Sequence, residues 1–171
     1  MKKIMFNDRY GLTKAVLEGR KTQTRRFLTT APDRYKLGEI VAVAQSYGKA
    51  GIPYGQIVEY VADPILNRYG ARIAGTSAGW NNKMFTRADL MPHQIKITNV
   101  RKELLGDITT EDIIKEGILQ TNEGLFTFVG NEVGEFLTAR CCFNAFIDKV
   151  FGKGTWLSNP LVTVYEFELV K

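Results

Sequence analysis

Strict alternation of apolar and polar residues is the feature of this sequence that most limits its fold. Residues 93–101 alternate along their whole length, which is the period-two pattern of a half-buried strand. Residues 161–170 alternate as well, with Val162 and Val164 on the opposite side of the pleat from Tyr165. The sequence therefore predicts two strands, one of which closes the chain.

Helical periodicity occurs in three other places. Residues 10–18 predict a short helix followed by Gly19, and residues 133–151 predict the longest helix, with a single apolar stripe. A helix is also expected at 109–116, because Thr109 can cap it and acids occupy its first turn. Further strands are predicted at 22–28, 40–44 and 56–62, whereas 62–91 has no regular pattern and predicts a long loop. About six strands, two or three helices and no regular βαβ alternation predict an α+β fold around a small mixed β-barrel.

The length of 171 residues predicts a single domain, residues 1–171, with a long insertion around 45–95. No window approaches the roughly 18 apolar residues of a membrane helix, and the N-terminus lacks the pattern of a secretory signal. We therefore expect a cytoplasmic protein without a membrane partner. The adjacent Cys141 and Cys142 with the single His93 match no zinc-site spacing, so neither a metal nor a cofactor is predicted.

The positive charge is concentrated at the N-terminal end. Residues 1–36 carry ten Lys and Arg against three acids, a net of +7, and the remaining residues carry a net of −2, which together give the overall +5. This asymmetry indicates a surface for a polyanion, of which nucleic acid is the commonest. The alternative is that the chain is one of the many basic cytoplasmic domains without such a partner.

Cations and hydroxyls meet in residues 18–26, where the first helix ends and a strand begins. Alternation on that strand predicts Thr22, Thr24 and Arg26 on one face, with Lys21 at its mouth. Such a face suits an anionic ligand or one that forms many hydrogen bonds, because Arg donates two parallel bonds and Lys carries a mobile charge. The alternative interpretation is a solvated basic turn.

The run GRKTQTRR with the later LGEIVAV resembles the ASCH family, a branch of the PUA-like superfold. The resemblance extends through residues 108–112 to Glu116-Gly117-Ile118, and residues 154–167 resemble the closing strand of longer bacterial and phage-associated members. It implies a PUA-like mixed β-barrel with flanking helices, in which the GxKT segment faces the helix that ends in Glu116-Gly117. It also implies RNA or a modified nucleoside as the partner.

One group of small ASCH proteins removes the acetyl group from N4-acetylcytidine, and their pattern GRKTxTxR is similar to residues 19–26. By that resemblance Thr24 is the nucleophile, Lys21 the group that activates it, and Glu116 the proton donor to the leaving amine. The remaining matched positions, which would contact the ligand, are Gly19, Arg20, Thr22 and Arg26.

Three functions are consistent with these patterns. The first is an RNA- or nucleoside-binding ASCH domain with a basic cleft, the second an amidohydrolase acting on N4-acetylcytidine or a similar acylated nucleoside, and the third a non-catalytic protein-interaction accessory domain. We expect the Glu116 carboxylate within hydrogen-bonding or one-water reach of Lys21 or Thr24, in a pocket open to solvent. The alternative is that Glu116 points into water beside Lys115. The sequence does not indicate an oligomeric state.

Aromatic and methionine residues in the expected long loop, Trp80, Met84, Phe85 and Met91, have two interpretations. They either anchor the loop to the body of the protein or stack on a nucleic-acid base.

Overall fold

The computed structural model describes residues 1–28, 34–63, 68–130 and 133–170, without the side chains of residues 61–63, 68 and 69. The chain is mixed α+β, with a mostly open multistranded sheet and few helices, which confirms the α+β part of the prediction. It divides into two compact units: unit 1 contains Met1–Phe6 and Ile40–Ile95, and unit 2 contains Asn7–Glu39 and Lys96–Val170.

The strands are β1 (Lys3–Ile4), β2 (Gln23–Phe27), β3 (Ile40–Val43), β4 (Ile57–Asp63), β5 (Arg68–Ile73), β6 (Gln94–Leu104), β7 (Leu119–Gln120), β8 (Phe126–Thr127) and β9 (Leu161–Leu169). The α-helices are α1 (Leu12–Leu17), α2 (Thr110–Lys115), α3 (Ala139–Phe151) and α4 (Thr155–Ser158), and short 3-10 helices connect several elements. Among the described residues, no helix combines the length and the apolar character that a bilayer crossing requires.

Unit 1 is built on two strand pairs. β1 runs parallel to β3, with Lys3 beside Ala42, and β4 runs antiparallel to β5. The Lys3 ammonium donates to the backbone oxygens of Lys83, Met84 and Thr86 at 3.1, 2.7 and 2.5 Å, so it ties the first strand to a distant turn. The buried apolar side chains around these strands are Ala42, Tyr47, Val58, Ala74 and Met91.

Residues 62–91 are not the irregular loop that we expected. They contain β5, which pairs with β4 from Ile73 to Arg68, and a series of short 3-10 helices that begins at Ala74. The prediction was wrong because β5, with the sequence RYGARI, has no apolar alternation. Its strand conformation depends on backbone hydrogen bonds to β4, and side-chain patterns do not reveal such bonds.

The aromatic and methionine residues of this segment differ in their burial. Met91 is buried in the core of unit 1, and Trp80 packs against that core from a partly buried position. Met84 and Phe85 remain exposed, with 59% of the Phe85 surface accessible. Only the first pair is placed to anchor the segment.

Unit 2 contains β2, β9 and most of β6, with β9 between the other two. β2 pairs antiparallel with β9, so that Thr24 lies opposite Tyr165 and Arg26 opposite Thr163. An aromatic cluster packs around α3: the rings of Phe128 and Phe146 stack at 4.4 Å. These strands correspond to the segments whose alternation predicted them.

The long helix α3 begins six residues later than we predicted, at Ala139 instead of residue 133. Thr138 caps it, since its side-chain oxygen accepts a hydrogen bond from the backbone N–H of Cys141 at 3.1 Å. Phe136, which lies within the segment predicted as helix, instead forms a β-bridge with Phe126. The stripe is confirmed at Ala139, Phe143, Phe146 and Ile147, which are buried, whereas Val150 is half-buried.

Unit 2 is closely packed at Gly11, which precedes α1. This glycine has φ 66°, and a Cβ at this position would lie 2.6 Å from the Cβ of Val129. Gly38 has a similar φ of 78°, but a Cβ there would meet nothing within 4 Å. We expect Gly11→Ala to lower the free energy of unfolding by about 1–3 kcal/mol more than Gly38→Ala does, measured by urea denaturation. Equal losses would contradict the close contact with Val129.

Candidate functional site

The segment that contains Lys21 lies against the end of α2. The backbone N–H groups of Arg20 and Lys21 both donate to the oxygen of Ala15 at 2.9 Å, and the N–H of Thr22 donates to the oxygen of Lys115 at 3.0 Å. Gly117 follows α2 at φ 100°, a backbone conformation that favours glycine, and it packs beside Leu12 and Lys21. The chain direction after α1 therefore brings Lys21 to the C-terminus of α2.

Lys21 forms a buried ion pair with Glu116. Its Nζ lies 2.6 Å from Glu116 Oε2 and donates also to the backbone oxygens of Glu116 at 2.8 Å and Gln23 at 2.7 Å. These three acceptors match the three N–H donors of an ammonium. The contact between Lys21 and Glu116 that we expected is confirmed.

The same contact is more enclosed than we expected. Lys21 is 2% exposed and Glu116 is 6% exposed, so the pair does not lie in a pocket open to solvent. The physical reason is that α2 and β2 pack directly against each other around the pair, and the Thr22–Lys115 backbone hydrogen bond closes that contact.

Arg25 binds the other oxygen of the Glu116 carboxylate. Its NH1 lies 3.0 Å from Glu116 Oε1 and donates also to Gln23 Oε1 at 2.6 Å. Lys21 thus shares its carboxylate with Arg25, a residue that strand alternation places on the opposite face of β2 from Thr22, Thr24 and Arg26. We expected Lys21 to join the threonine face, and in this respect the prediction was wrong.

The network continues from Arg25 to β6 and α2. Arg25 NH2 lies 2.5 Å from Glu103 Oε1 and 3.1 Å from Asp112 Oδ2. Arg101 binds the same two acids, at 3.0 Å to Glu103 Oε2 and 2.7 Å to Asp112 Oδ2, and it also contacts Glu166 on β9. The network therefore connects three strands and a helix of unit 2.

The charges of this network nearly balance. Three cations, Lys21, Arg25 and Arg101, face four carboxylates, those of Glu103, Asp112, Glu116 and Glu166, which gives a formal net charge of −1. Lys115 lies 3.7 Å from Asp112 and adds one positive charge at the edge. The two motif cations in this network are thus neutralised within the protein and do not form a free basic wall.

Burial changes the acid–base properties of two cations of the motif, Lys21 and Arg26. Desolvation lowers the pKa of Lys21 from its ordinary value, and the adjacent Glu116 carboxylate opposes that shift. Desolvation also lowers the pKa of Arg26, and Tyr35 and Glu116 oppose it. Lys21 is therefore easier to deprotonate than a solvated lysine.

The other predicted ligand residues are only partly brought to the ion pair. Thr24 is buried at 5% exposure, and within the described ranges its hydroxyl forms no hydrogen bond with Lys21 or Glu116. Arg20 turns toward Glu18, at 2.6 Å from its Oε2, and its NH1 is shielded from solvent without an acceptor in the described part of the chain. Gly19 and Thr22 lie in the turn that leads to β2.

The sequence patterns did not indicate most members of the ion network, which are Gln23, Arg25, Arg101, Glu103, Asp112 and Glu166. The signal available was weak, because charged residues alternate along β6 at Arg101 and Glu103 as they would on any solvated strand face. Only the pairing of β6 and β2 with β9, and the approach of α2, make these side chains neighbours. In the residues that the structure describes, no group of His, Cys, Asp and Glu side chains has an arrangement that could hold a metal ion.

Comparison of the chain with protein-family models, with curated proteins and with solved structures found no significant match in any of the three.

The ion pair predicts a large cost for removing one partner. Glu116→Gln leaves Lys21 and Arg25 buried without their shared countercharge, so we expect a loss of about 3–5 kcal/mol in the free energy of unfolding. Glu18→Gln is the matched control, because it removes an acid from the exposed Arg20–Glu18 pair, and surface pairs contribute little. Urea denaturation at pH 7 measures both, and a small, equal effect of the two changes would show that the network does not stabilise unit 2.

A pH dependence follows from Asp112. Burial raises the pKa of its carboxyl, but hydrogen bonds from Gln23 and Arg25 and the charges of Arg25 and Arg101 outweigh that effect, so its pKa lies below the ordinary value. A carboxyl with a lowered folded-state pKa stabilises the fold above its unfolded pKa of about 3.9, and this contribution is lost as the pH falls through the folded pKa.

We therefore expect the stability difference between the wild type and Asp112→Asn to be largest at neutral pH and to shrink as the pH falls from about 5 toward 2. Urea denaturation across this range measures the difference. Asp107→Asn, which changes an exposed acid outside the network, controls for the loss of one carboxylate. A difference that is the same at pH 7 and pH 2.5 would contradict the role of Asp112.

Proposed function

We propose that the chain is an ASCH-like domain of PUA-like barrel type that binds a modified nucleoside beside Lys21, Thr24 and Glu116. The observation that carries this proposal is the contact between Lys21 and Glu116, which lie 95 positions apart in the chain. The family resemblance implies that the GxKT segment faces the helix ending in Glu116-Gly117. The packing of this segment against the end of α2 supports that implication independently of the sequence motif.

Charge balance favours a nucleoside over a phosphate backbone at this position. Binding of a polyanion depends on accessible cations that replace its counterions. Lys21 and Arg25 are buried, and carboxylates of the same unit neutralise them. Base recognition instead needs donors and acceptors at fixed positions, such as a carboxylate that accepts from the exocyclic amine of cytosine. Glu116 is a carboxylate held in place through both of its oxygens, and a base would reach it only where the contacts that enclose it open.

One polar group of the motif supports a ligand here because it lacks a partner in the described residues. The Arg20 NH1 is shielded from solvent and donates to no acceptor there. Buried polar groups are nearly always hydrogen bonded, so this nitrogen would gain free energy from a ligand that pairs with it. Within the described ranges the Thr24 hydroxyl forms no hydrogen bond with Lys21 or Glu116, so neither residue occupies it.

An amidohydrolase is the second candidate, favoured by the lowered pKa of Lys21. In this reaction neutral Lys21 takes the hydroxyl proton of Thr24, whose oxygen attacks the acetyl carbon of N4-acetylcytidine. The neutral Lys21 arises when its ammonium passes a proton to Glu116 within the ion pair. Glu116 gives that proton to the N4 amine as the bond from the acetyl carbon to N4 breaks. Water then hydrolyses the acetyl ester, which releases acetic acid and restores the Thr24 hydroxyl. The chemistry requires Lys21 to rotate from its present three acceptors toward Thr24.

RNA binding through the exposed lysines and arginines of residues 1–36 is an alternative within the same proposal. A non-catalytic interaction domain is another, and we place either role in the cytoplasm. The experiment below separates these functions because each requires different residues.

We expect N4-acetylcytidine or cytidine to bind the full chain in isothermal titration calorimetry, and Thr24→Val to weaken this binding by about threefold to tenfold. If the chain is also the hydrolase, chromatography will detect cytidine formation by the wild type and none by Thr24→Val, because valine has no nucleophilic oxygen. Thr127→Val is the control: Thr127 is a buried threonine of the same unit that donates to the oxygen of Gly134.

Each outcome identifies a different function. Binding without turnover supports the nucleoside-binding domain alone. Strongly salt-dependent binding of single-stranded RNA that Thr24→Val leaves unchanged assigns the function to the exposed cations instead. If the folded wild type binds no nucleoside at millimolar concentration, the proposal is wrong and the interaction domain remains.

A further inference from the structure

Unit 1 contains a cavity that is independent of the ion network. Its volume is about 490 Å³, within the range of small-molecule sites, and all of its lining residues belong to residues 47–87. Its lining includes the exposed Phe85, and the paired strands β4 and β5 contribute Glu59 and Arg72. The cavity therefore combines an aromatic face with charged groups at its edge.

Tyr47 lines this cavity, and its hydroxyl accepts a hydrogen bond but donates none within the described residues. Tyr47 is 1% exposed, and its oxygen accepts a hydrogen bond from the backbone N–H of Arg87 at 3.1 Å. Over the described ranges its own proton is donated to no protein acceptor. A buried donor without an acceptor costs free energy, so a ligand oxygen at this position would be favourable.

The two arginines of the cavity differ in what they can offer. Arg87 is held by Asp89 through two nitrogens, at 3.1 and 2.6 Å, and by the backbone oxygen of Val58 at 2.9 Å. Arg72 makes a single contact of 3.0 Å with Glu59, and its side chain is 63% exposed. Arg72 can therefore turn part of its guanidinium to a ligand, whereas the guanidinium of Arg87 is held in place by its own hydrogen bonds.

We propose that this cavity is a binding site for a small planar anion, with the ring on Phe85 and the anionic group at Arg72 and the Tyr47 hydroxyl. Both phosphate and carboxylate groups fit this chemistry, since an arginine donates two parallel hydrogen bonds to either one. An aromatic side chain stacks on any planar ring, so ring identity is not specified by Phe85. The site lies in unit 1 and does not depend on the function proposed for unit 2.

The test is calorimetric titration of the full chain with AMP, 4-hydroxybenzoate and inorganic phosphate. We expect at least one aromatic anion to bind, and phosphate alone to bind at least tenfold more weakly, because it lacks a ring. Preference for AMP or for 4-hydroxybenzoate identifies the anionic group as phosphate or carboxylate. No binding of either aromatic anion at millimolar concentration, or equal affinity for phosphate alone, overturns the proposal.

Variants locate the bound anion. Arg72→Met is expected to weaken binding about tenfold to a hundredfold, and Tyr47→Phe about threefold to tenfold. Lys36→Met removes one exposed positive charge from unit 2, and Tyr60→Phe removes a hydroxyl that is 81% exposed in unit 1, so both controls should bind as the wild type does. Thermal melting confirms that each variant is folded. Affinities unchanged in folded Arg72→Met and Tyr47→Phe would place the anion elsewhere and overturn the assignment.

Discussion

The buried carboxylate of Glu116 is the group on which the arrangement of unit 2 depends. An ion removed from water is tolerated only where opposite charges and hydrogen bonds replace its hydration. Lys21 and Arg25 supply these from the two sides of the carboxylate, at 2.6 and 3.0 Å. Because the acid ends α2 and both cations belong to the β2 region, helix and strand have to meet in one relative position for the charges to be compensated.

The same ion network determines which cations of unit 2 remain available to bind a ligand. Arg25 and Arg101 are occupied by Glu103 and Asp112, so the motif that reads as strongly basic in the sequence has little positive charge to offer. The excess positive charge of residues 1–36 instead lies on exposed side chains such as Lys14 and Lys36. A ligand bound beside Glu116 would therefore be recognised through directed hydrogen bonds. A polyanion would instead be attracted by the exposed lysine side chains on the surface.

In unit 1, a few contacts order a segment whose sequence lacks strong helical or strand periodicity. The long stretch after β3 has little apolar alternation, but Tyr47, Ala74 and Met91 bury one side of it. The Lys3 ammonium also binds three backbone oxygens of a single turn within this stretch. The short 3-10 helices between these anchors leave the Phe85 ring exposed at the edge of a cavity. Order and an accessible cavity thus arise from the same few anchoring contacts.

Local patterns in the sequence determined the parts of this protein whose physics is local. The alternation of residues 161–170, the Thr109 cap and the apolar stripe around Phe143 and Ile147 predicted β9, α2 and most of α3, because a strand or an amphipathic helix is largely defined by its own side-chain spacing. The prediction that Lys21 contacts Glu116 came from a family resemblance and not from local spacing.

Only the tertiary structure decided the rest. β5 has no pattern of its own and exists through pairing with β4, and the start of α3 at Ala139 depends on the bridge that Phe136 makes with Phe126. Arg25, Glu103 and Asp112 are separated by up to 87 positions, and no local spacing shows that they share hydrogen bonds. A strand face can carry charges toward water or toward another element, and the alternation is the same in both cases, so burial and charge compensation emerge only when the elements pack.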